Sequence, residues 1–227
     1  MDRVEIRRKI LAANDAQAAL LRERFDAAGT LVVDLVSSPG AGKTSLLEMT
    51  AQRMTPETRM ATVVGDIATE LDAERLRRAG MPAHQIVTGG ACHLDARLVT
   101  DGLEAAGFEP LELLFIENVG NLVCPASYTL GEDFKVALLS VTEGHDKPFK
   151  YPAIFARAAV TVLTKVDLLP YLDFDLEQAQ EQILSLNPEA EVLLVSVKTG
   201  QGVSDWCDLL RRRMTQLRSR RALVEVP

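Results

Sequence analysis

The run Ser37-Ser-Pro-Gly-Ala-Gly-Lys-Thr44 brings together the residue types that hold a triphosphate. Gly40 and Gly42, on either side of Ala41, let backbone N–H groups curl toward an anion where a Cβ would block the approach. Lys43 then reaches the β- and γ-phosphates, and Thr44 offers its hydroxyl to Mg²⁺. Ser45 opens the helix-forming run SLLEMTAQRM, whose N-terminus favours an anion. Ser37 stands where the strict pattern has glycine, but the Gly42-Lys43-Thr44 contacts are retained.

Two carboxylates end apolar runs downstream, Asp66 after MATVVG and Glu117 after LELLFI. Each is placed to hold Mg²⁺ or to orient an attacking water, and sequence leaves the two roles unassigned. Thr164-Lys-Val-Asp167 then occupies the place of the guanine-specificity motif Asn-Lys-x-Asp. The Asp167 carboxylate can accept from N1–H and the 2-amino group of guanine, whereas adenine has neither donor in that arrangement. A site built for those bonds rejects the wrong base by roughly 10⁴, because its own buried group is left unpaired. The stem of Lys165 suits the face of the base. Thr164, in place of asparagine, offers fewer hydrogen bonds for tying loops together. Ser196-Val197-Lys198, after EVLLV, has the position and composition of a segment presenting a backbone N–H to guanine O6. The nucleotide expected is GTP, converted slowly to GDP, since no residue of these motifs is an arginine placed at the γ-phosphate.

These residues need a scaffold that gathers loops. The runs LVVDLVS, MATVVGD, LELLFIEN, KVALLSVTEG, AVTVLTKVD and EVLLVSV alternate with amphipathic stretches, as βαβ units do. The expected fold is α/β of the P-loop NTPase type: a mostly parallel central sheet, helices on both faces, and every motif in a loop after a strand. An amphipathic stretch with Ile10, Leu21 and Phe25 precedes the first strand. It divides the chain into an N-terminal helical extension, residues 1–28, and a P-loop GTPase domain, residues 29–227.

The 227 residues, 47% hydrophobic, suffice for one substantial core. A net charge of −7 argues against nucleic acid or anionic lipid as a partner, and the basic run Arg211–Arg213 is expected to be a solvated helix end. No apolar run approaches the roughly 20 residues that span a bilayer. The N-terminus MDRVEIRRKILAANDA carries charges where a signal peptide would be apolar, so a cytoplasmic protein is expected.

Three cysteines make a disulfide framework improbable in a reducing compartment. Cys92 and His93 follow Gly89-Gly90 and precede LDARLVTDGL, on a loop or a helix N-terminus, a location that favours the thiolate metals need. Cys124 lies seven positions after Glu117. Each of them taken alone also fits buried packing, as Cys207 beside Trp206 does. His84, ahead of a strand, reads as structural.

The elements KILAANDAQA, SSPGAGKT, VVGDIATELDA, TGGACHLDA, IENVGNLVCPA, EGHDKPFKYP, TKVDLLP and SVKTGQG together resemble the hydrogenase-maturation nickel-insertion GTPases, the HypB family, within the dimerising class of P-loop GTPases. The resemblance runs from Val4 to about Trp206. It implies a homodimer when GTP is bound, with Lys147 reaching the partner chain's nucleotide. It also implies docking of a HypA-type nickel chaperone on the N-terminal helix, and service to a hydrogenase large-subunit precursor complex. His145 stands where an acidic residue is more usual. Many relatives begin with a CxxCGC motif and a histidine-rich tract that this sequence does not show, which leaves Cys92, His93 and Cys124 as the expected nickel site, with zinc able to occupy it. Two thiolates and one imidazole fall short of a closed tetrahedral set, so a site shared by two chains is suggested. Two other readings stay open: nickel delivery to urease or another centre, and a nucleotide-dependent dimerisation module whose cysteines bind no metal.

Overall fold

The computed structural model describes residues 2–55, 57–66 and 70–224. Seven strands, β1 (Leu31–Ser37), β2 (Met60–Asp66), β3 (Ala83–Val87), β4 (Leu113–Glu117), β5 (Phe134–Ser140), β6 (Val160–Thr164) and β7 (Glu191–Val195), form one sheet in the order β3-β2-β4-β1-β5-β6-β7. Every pairing is parallel. The helices are α1 (Arg3–Ala28), α2 (Lys43–Met54), α3 (Leu71–Arg78), α4 (Ala96–Ala106), the short α5 (Lys147–Lys150) and α6 (Pro152–Phe155), α7 (Leu176–Leu186) and α8 (Val203–Val224).

The central strands are buried on both sides, which is why LVVDLVS and FKVALLS read as near-continuous apolar runs rather than alternating ones. The six expected strands are present, and AHQIV adds a seventh at the edge. His84, expected ahead of a strand, lies within it. After β1 the chain crosses to β2 on one side, and β5 later joins β1 on the other. The loop after β1 therefore opens at the point where the winding reverses, the usual ligand crevice of such sheets.

One face of the sheet packs apolar side chains such as Val33, Leu35 and Phe115 against Leu46, Leu76 and Trp206 from α2, α3 and α8. Trp206 is fully buried and donates its indole N–H to Thr50 Oγ1 at 2.9 Å, and Cys207 beside it is core, as expected. The basic run Arg211–Arg213 lies within α8 rather than at its end, and its arginines form surface ion pairs: Arg212 and Arg213 with Glu191, as Arg218 further on does with Glu112.

On the other face, α1 and α4 cover Val32, Val63 and Ile116. Asn14, Ala18, Leu21 and Phe25, spaced as one face of a helix, are buried, while Val4, Ile6 and Ile10 are exposed. The C-terminal half of α1 is therefore part of the core, and only its N-terminal half projects. Leu21→Ala is expected to lower stability by about 2–5 kcal/mol, the range for a truncated core leucine, in denaturant unfolding monitored by far-ultraviolet circular dichroism. A loss under about 0.5 kcal/mol would show that α1 is peripheral to the fold.

Candidate functional site

Two adjoining cavities, about 560 Å³ and 390 Å³, open at the carboxyl edge of the sheet and share Gly42, Ser45 and Lys165 in their walls. Gly42 precedes α2 with φ of 100°, a left-handed conformation that a Cβ would strain, and it turns the chain from β1 into the helix. Lys43 and Thr44 are buried at the start of α2. Burial lowers the pKa of Lys43, and its ammonium donates to Ser37 Oγ at 2.9 Å. The departure at Ser37 thus supplies a hydroxyl partner for the phosphate-loop lysine.

Thr44 donates to Glu117 Oε1 at 2.6 Å, linking α2 to the end of β4. Glu117 is 3% exposed, and burial raises its carboxyl from 4.5 to about 7. Its Oε2 is buried with no hydrogen-bond partner among the described residues, which suits a cation there. Asp66 lines the same cavity, as do Asp72, Arg75, Asn118 and Gly120, four residues to which the sequence assigned no individual role. Arg75 on α3 donates to Glu48, Asp72 and Ser45 Oγ, so its guanidinium is engaged along α2. A Cβ on Gly120 would lie 2.9–3.0 Å from Pro39, so the segment after β4 rests directly on the phosphate loop.

The smaller cavity is lined by Thr164, Lys165, Asp167, Val197 and Lys198. Thr164 donates to Ala41 O at 2.6 Å, and Lys165 donates to Gly40 O at 2.8 Å. Threonine here does tie the base loop to the phosphate loop. Lys165 is the one non-glycine residue at positive φ, 59°, among those described, a cost of the kind stored at ligand sites. Ser196 donates to Asp167 Oδ1 at 2.6 Å and fixes the carboxylate. The Ser196 amide itself donates to Gln201 O at 3.0 Å and is engaged there, while Val197 and Lys198 line the cavity.

Cys92, His93 and Cys124 bring their donor atoms within 4.8 Å of one another. The Cys92 thiol lies 3.0 Å from Cys124 Sγ and 3.7 Å from His93 Nδ1. Cys92 is exposed and Cys124 half-buried, and the hydrogen bond shared by the two thiols, followed by burial, pushes the Cys124 thiol pKa up. The cluster sits in the loops after β3 and β4. The N-terminus of α4 is capped instead by Asp95, whose Oδ1 accepts from Leu98 N at 2.8 Å. The soft, compact donor set suits nickel or zinc and lacks a fourth ligand among the described residues. Lys147 lies outside both cavities, paired with Glu143 at 3.1 Å and 5.3 Å from the centre of the Tyr151 ring.

A glycine-bearing phosphate loop at the switch point of a parallel sheet, with a base cavity beside it, defines a P-loop NTPase fold. A family described as CobW/HypB/UreG, nucleotide-binding domain, matches residues 31–194. The hydrogenase maturation factor HypB of Azotobacter vinelandii is 50% identical over 220 residues, spanning 96% of this chain and 72% of that protein. The crystal structure of HypB from Helicobacter pylori in complex with nickel aligns with a TM-score of 0.85 at 40% identity, covering 90% of this chain and 96% of that one. That of the HypB from Archaeoglobus fulgidus gives 0.84 at 38% identity, covering 89% and 99%. The chain belongs to the HypB family of hydrogenase maturation factors.

A carboxyl with its pKa raised to about 7 must ionise to receive a cation. Binding of a magnesium nucleotide is therefore expected to release a proton near neutral pH, and affinity should fall about tenfold per unit below pH 7. Calorimetry in buffers of different ionisation enthalpy measures both, and Glu117→Gln should flatten the dependence. An unchanged pH dependence in that variant would remove Glu117 from the titration.

Proposed function

We propose that the protein is a GTP-binding, slowly GTP-hydrolysing metallochaperone that helps deliver nickel to a [NiFe]-hydrogenase precursor through GTP-dependent dimerisation. One observation carries the reading: Glu117, bonded to Thr44 in the phosphate cavity, and Cys124, in the thiol–imidazole cluster, lie seven positions apart on one segment. A change at the γ-phosphate then has a short covalent route to a metal ligand.

In this reading Gly40, Ala41 and Gly42 wrap the phosphates, Lys43 neutralises the β- and γ-oxygens, and Ser45 closes the helix end. Thr44, Glu117 and Asp66 are the groups that would hold magnesium and orient the attacking water; the direct bond of Glu117 to Thr44 favours Glu117 for the metal. Magnesium, when bound, supplies charge neutralisation between the phosphates. Asp167, fixed by Ser196, reads N1–H and the 2-amino group of guanine, Lys165 covers the ring, and Val197 and Lys198 offer amides toward O6. Turnover is slow because Arg75, on the cavity wall, is held by Glu48 and Asp72, and Lys147 points elsewhere within its own chain. Lys147 is assigned to the partner chain's nucleotide.

Cys92, His93 and Cys124 take nickel as cargo, and a second chain completes the ligand set. The H. pylori relative described as a complex with nickel supports that choice over zinc. The exposed half of α1, with Val4, Ile6 and Ile10, is the surface assigned to a HypA-type chaperone. The same reading has the protein acting in the cytoplasm. No helix among the described residues is long and apolar enough to cross a membrane.

Nickel content and dimer fraction, compared between GTP-analogue and GDP forms, test the whole reading. More dimer with the analogue, and a nickel affinity that differs between the two forms, are expected; identical values would sink it. Cys92→Ala and Cys124→Ala should each lose the metal while keeping nucleotide affinity. Asp167→Asn should cost GTP at least about a hundredfold in affinity and bring GTP and ATP close together, because the ionised acceptor is gone. Equal GTP and ATP affinity in the unmutated protein would refute the guanine assignment.

A further inference from the structure

Cys92 and His93 follow β3 and Cys124 follows β4, and these strands do not pair, because β2 lies between them. The meeting of the three ligands therefore depends on cross-links between loops rather than on the strand ladder. Three asparagines supply them. Asn121 donates to Cys92 O at 3.2 Å, and Asn118 accepts from Leu94 N at 3.0 Å. The third, Asn14, comes from outside both loops, on α1, and is 7% exposed. Its Oδ1 accepts from Ala96 N at 2.9 Å, and its Nδ2 donates to Thr129 O at 2.9 Å.

Ala96 lies three positions beyond His93, and Thr129 lies five beyond Cys124. Thr129 also follows Tyr128, whose ring packs on that of His93 with centroids 4.1 Å apart. One primary amide thus spans the exits of both ligand-bearing loops. Its orientation is fixed by chemistry, since the Ala96 amide only donates and the Thr129 carbonyl only accepts.

We propose that Asn14 is a positioning residue for the Cys92–His93–Cys124 cluster, setting the separation of its two arms with a single side chain. The inference rests on the metal-binding reading above. A group that holds ligands in register acts on affinity as outer-shell partners do, and their loss costs about 10–100-fold. Alanine at this position removes both bonds; aspartate keeps the acceptor for Ala96 N–H and loses the donor to Thr129. Gln17 provides the comparison, because its Nε2 donates to Thr100 Oγ1 at 2.9 Å and joins the same two helices away from the loops.

The experiment is competition of Ni²⁺ and Zn²⁺ against a chromophoric chelator, on the full chain, with thermal midpoint and GTP-analogue affinity measured alongside. Asn14→Ala should lose about tenfold or more in metal affinity, Asn14→Asp less, and Gln17→Ala nothing, while all three bind the GTP analogue as the wild type does. Wild-type metal affinity in Asn14→Ala, or an equal loss in Gln17→Ala, overturns the assignment and leaves Asn14 as a helix–helix tie. Should the alanine variant not fold, Asn14→Asp decides, and wild-type affinity in it has the same meaning. Failure of the underlying reading looks different: the wild type takes up no metal, or Cys92→Ala takes up as much, and the Asn14 proposal falls with it.

Discussion

In a parallel sheet every strand points the same way, so every loop that follows a strand opens on one rim. That constraint places all the chemistry of this protein. The order β3-β2-β4-β1-β5-β6-β7 lays out the rim as a line. The Cys92–His93 loop lies toward one end, the phosphate loop at the centre, and the Thr164–Asp167 and Ser196–Lys198 segments after β6 and β7 at the other end. β4 is the strand that joins the phosphate cavity to the thiol pair, since Glu117 lines that cavity and Cys124 belongs to the pair. The loop after it is the shortest covalent path between the phosphate cavity and the thiol pair.

The loop is not slack. Gly120 rests on Pro39 closely enough that a Cβ would clash with the proline ring and crowd its backbone. Asn118 accepts from the amides of Leu94 and Val119 and donates to Asp34, a fully buried carboxylate also bonded by Lys135. Burying that ion pair is costly, and it is sustained by the hydrogen bonds that surround it. Packed contacts of this kind move as units rather than deforming gradually, which makes the segment suited to two discrete positions.

What was legible in the sequence is what chemistry fixes to a residue type and a short spacing. Gly42-Lys43-Thr44, Asp167 and the fully buried β1 belong to that group, because an anion, a base edge and a two-sided strand each admit few alternatives. β3 was harder, since AHQIV carries His84 and Gln85 at a partly exposed edge and lacks a run of β-branched residues. Asp72 and Arg75 look like ordinary surface charges of a short helix, and only the packing of α3 on α2 brings them to the cavity wall. Asn118 stood beside a recognised carboxylate, yet nothing local shows that its amide reaches back 84 positions to Asp34. The Cys92–Cys124 contact spans 32 positions and an intervening strand, so the residues themselves suggest ligands while their proximity is a property of the sheet order.

The chain contains a single tryptophan, and the fold sets it in a particular place. Trp206 is sealed in the core with its indole bonded to Thr50, on the same helix whose first residues are Lys43 and Thr44. A tilt of that helix alters the surroundings of the indole, and no other chromophore of its kind competes with the signal. The unlabelled molecule therefore carries its own optical gauge, wired by one hydrogen bond to the helix whose first turn lines the larger cavity.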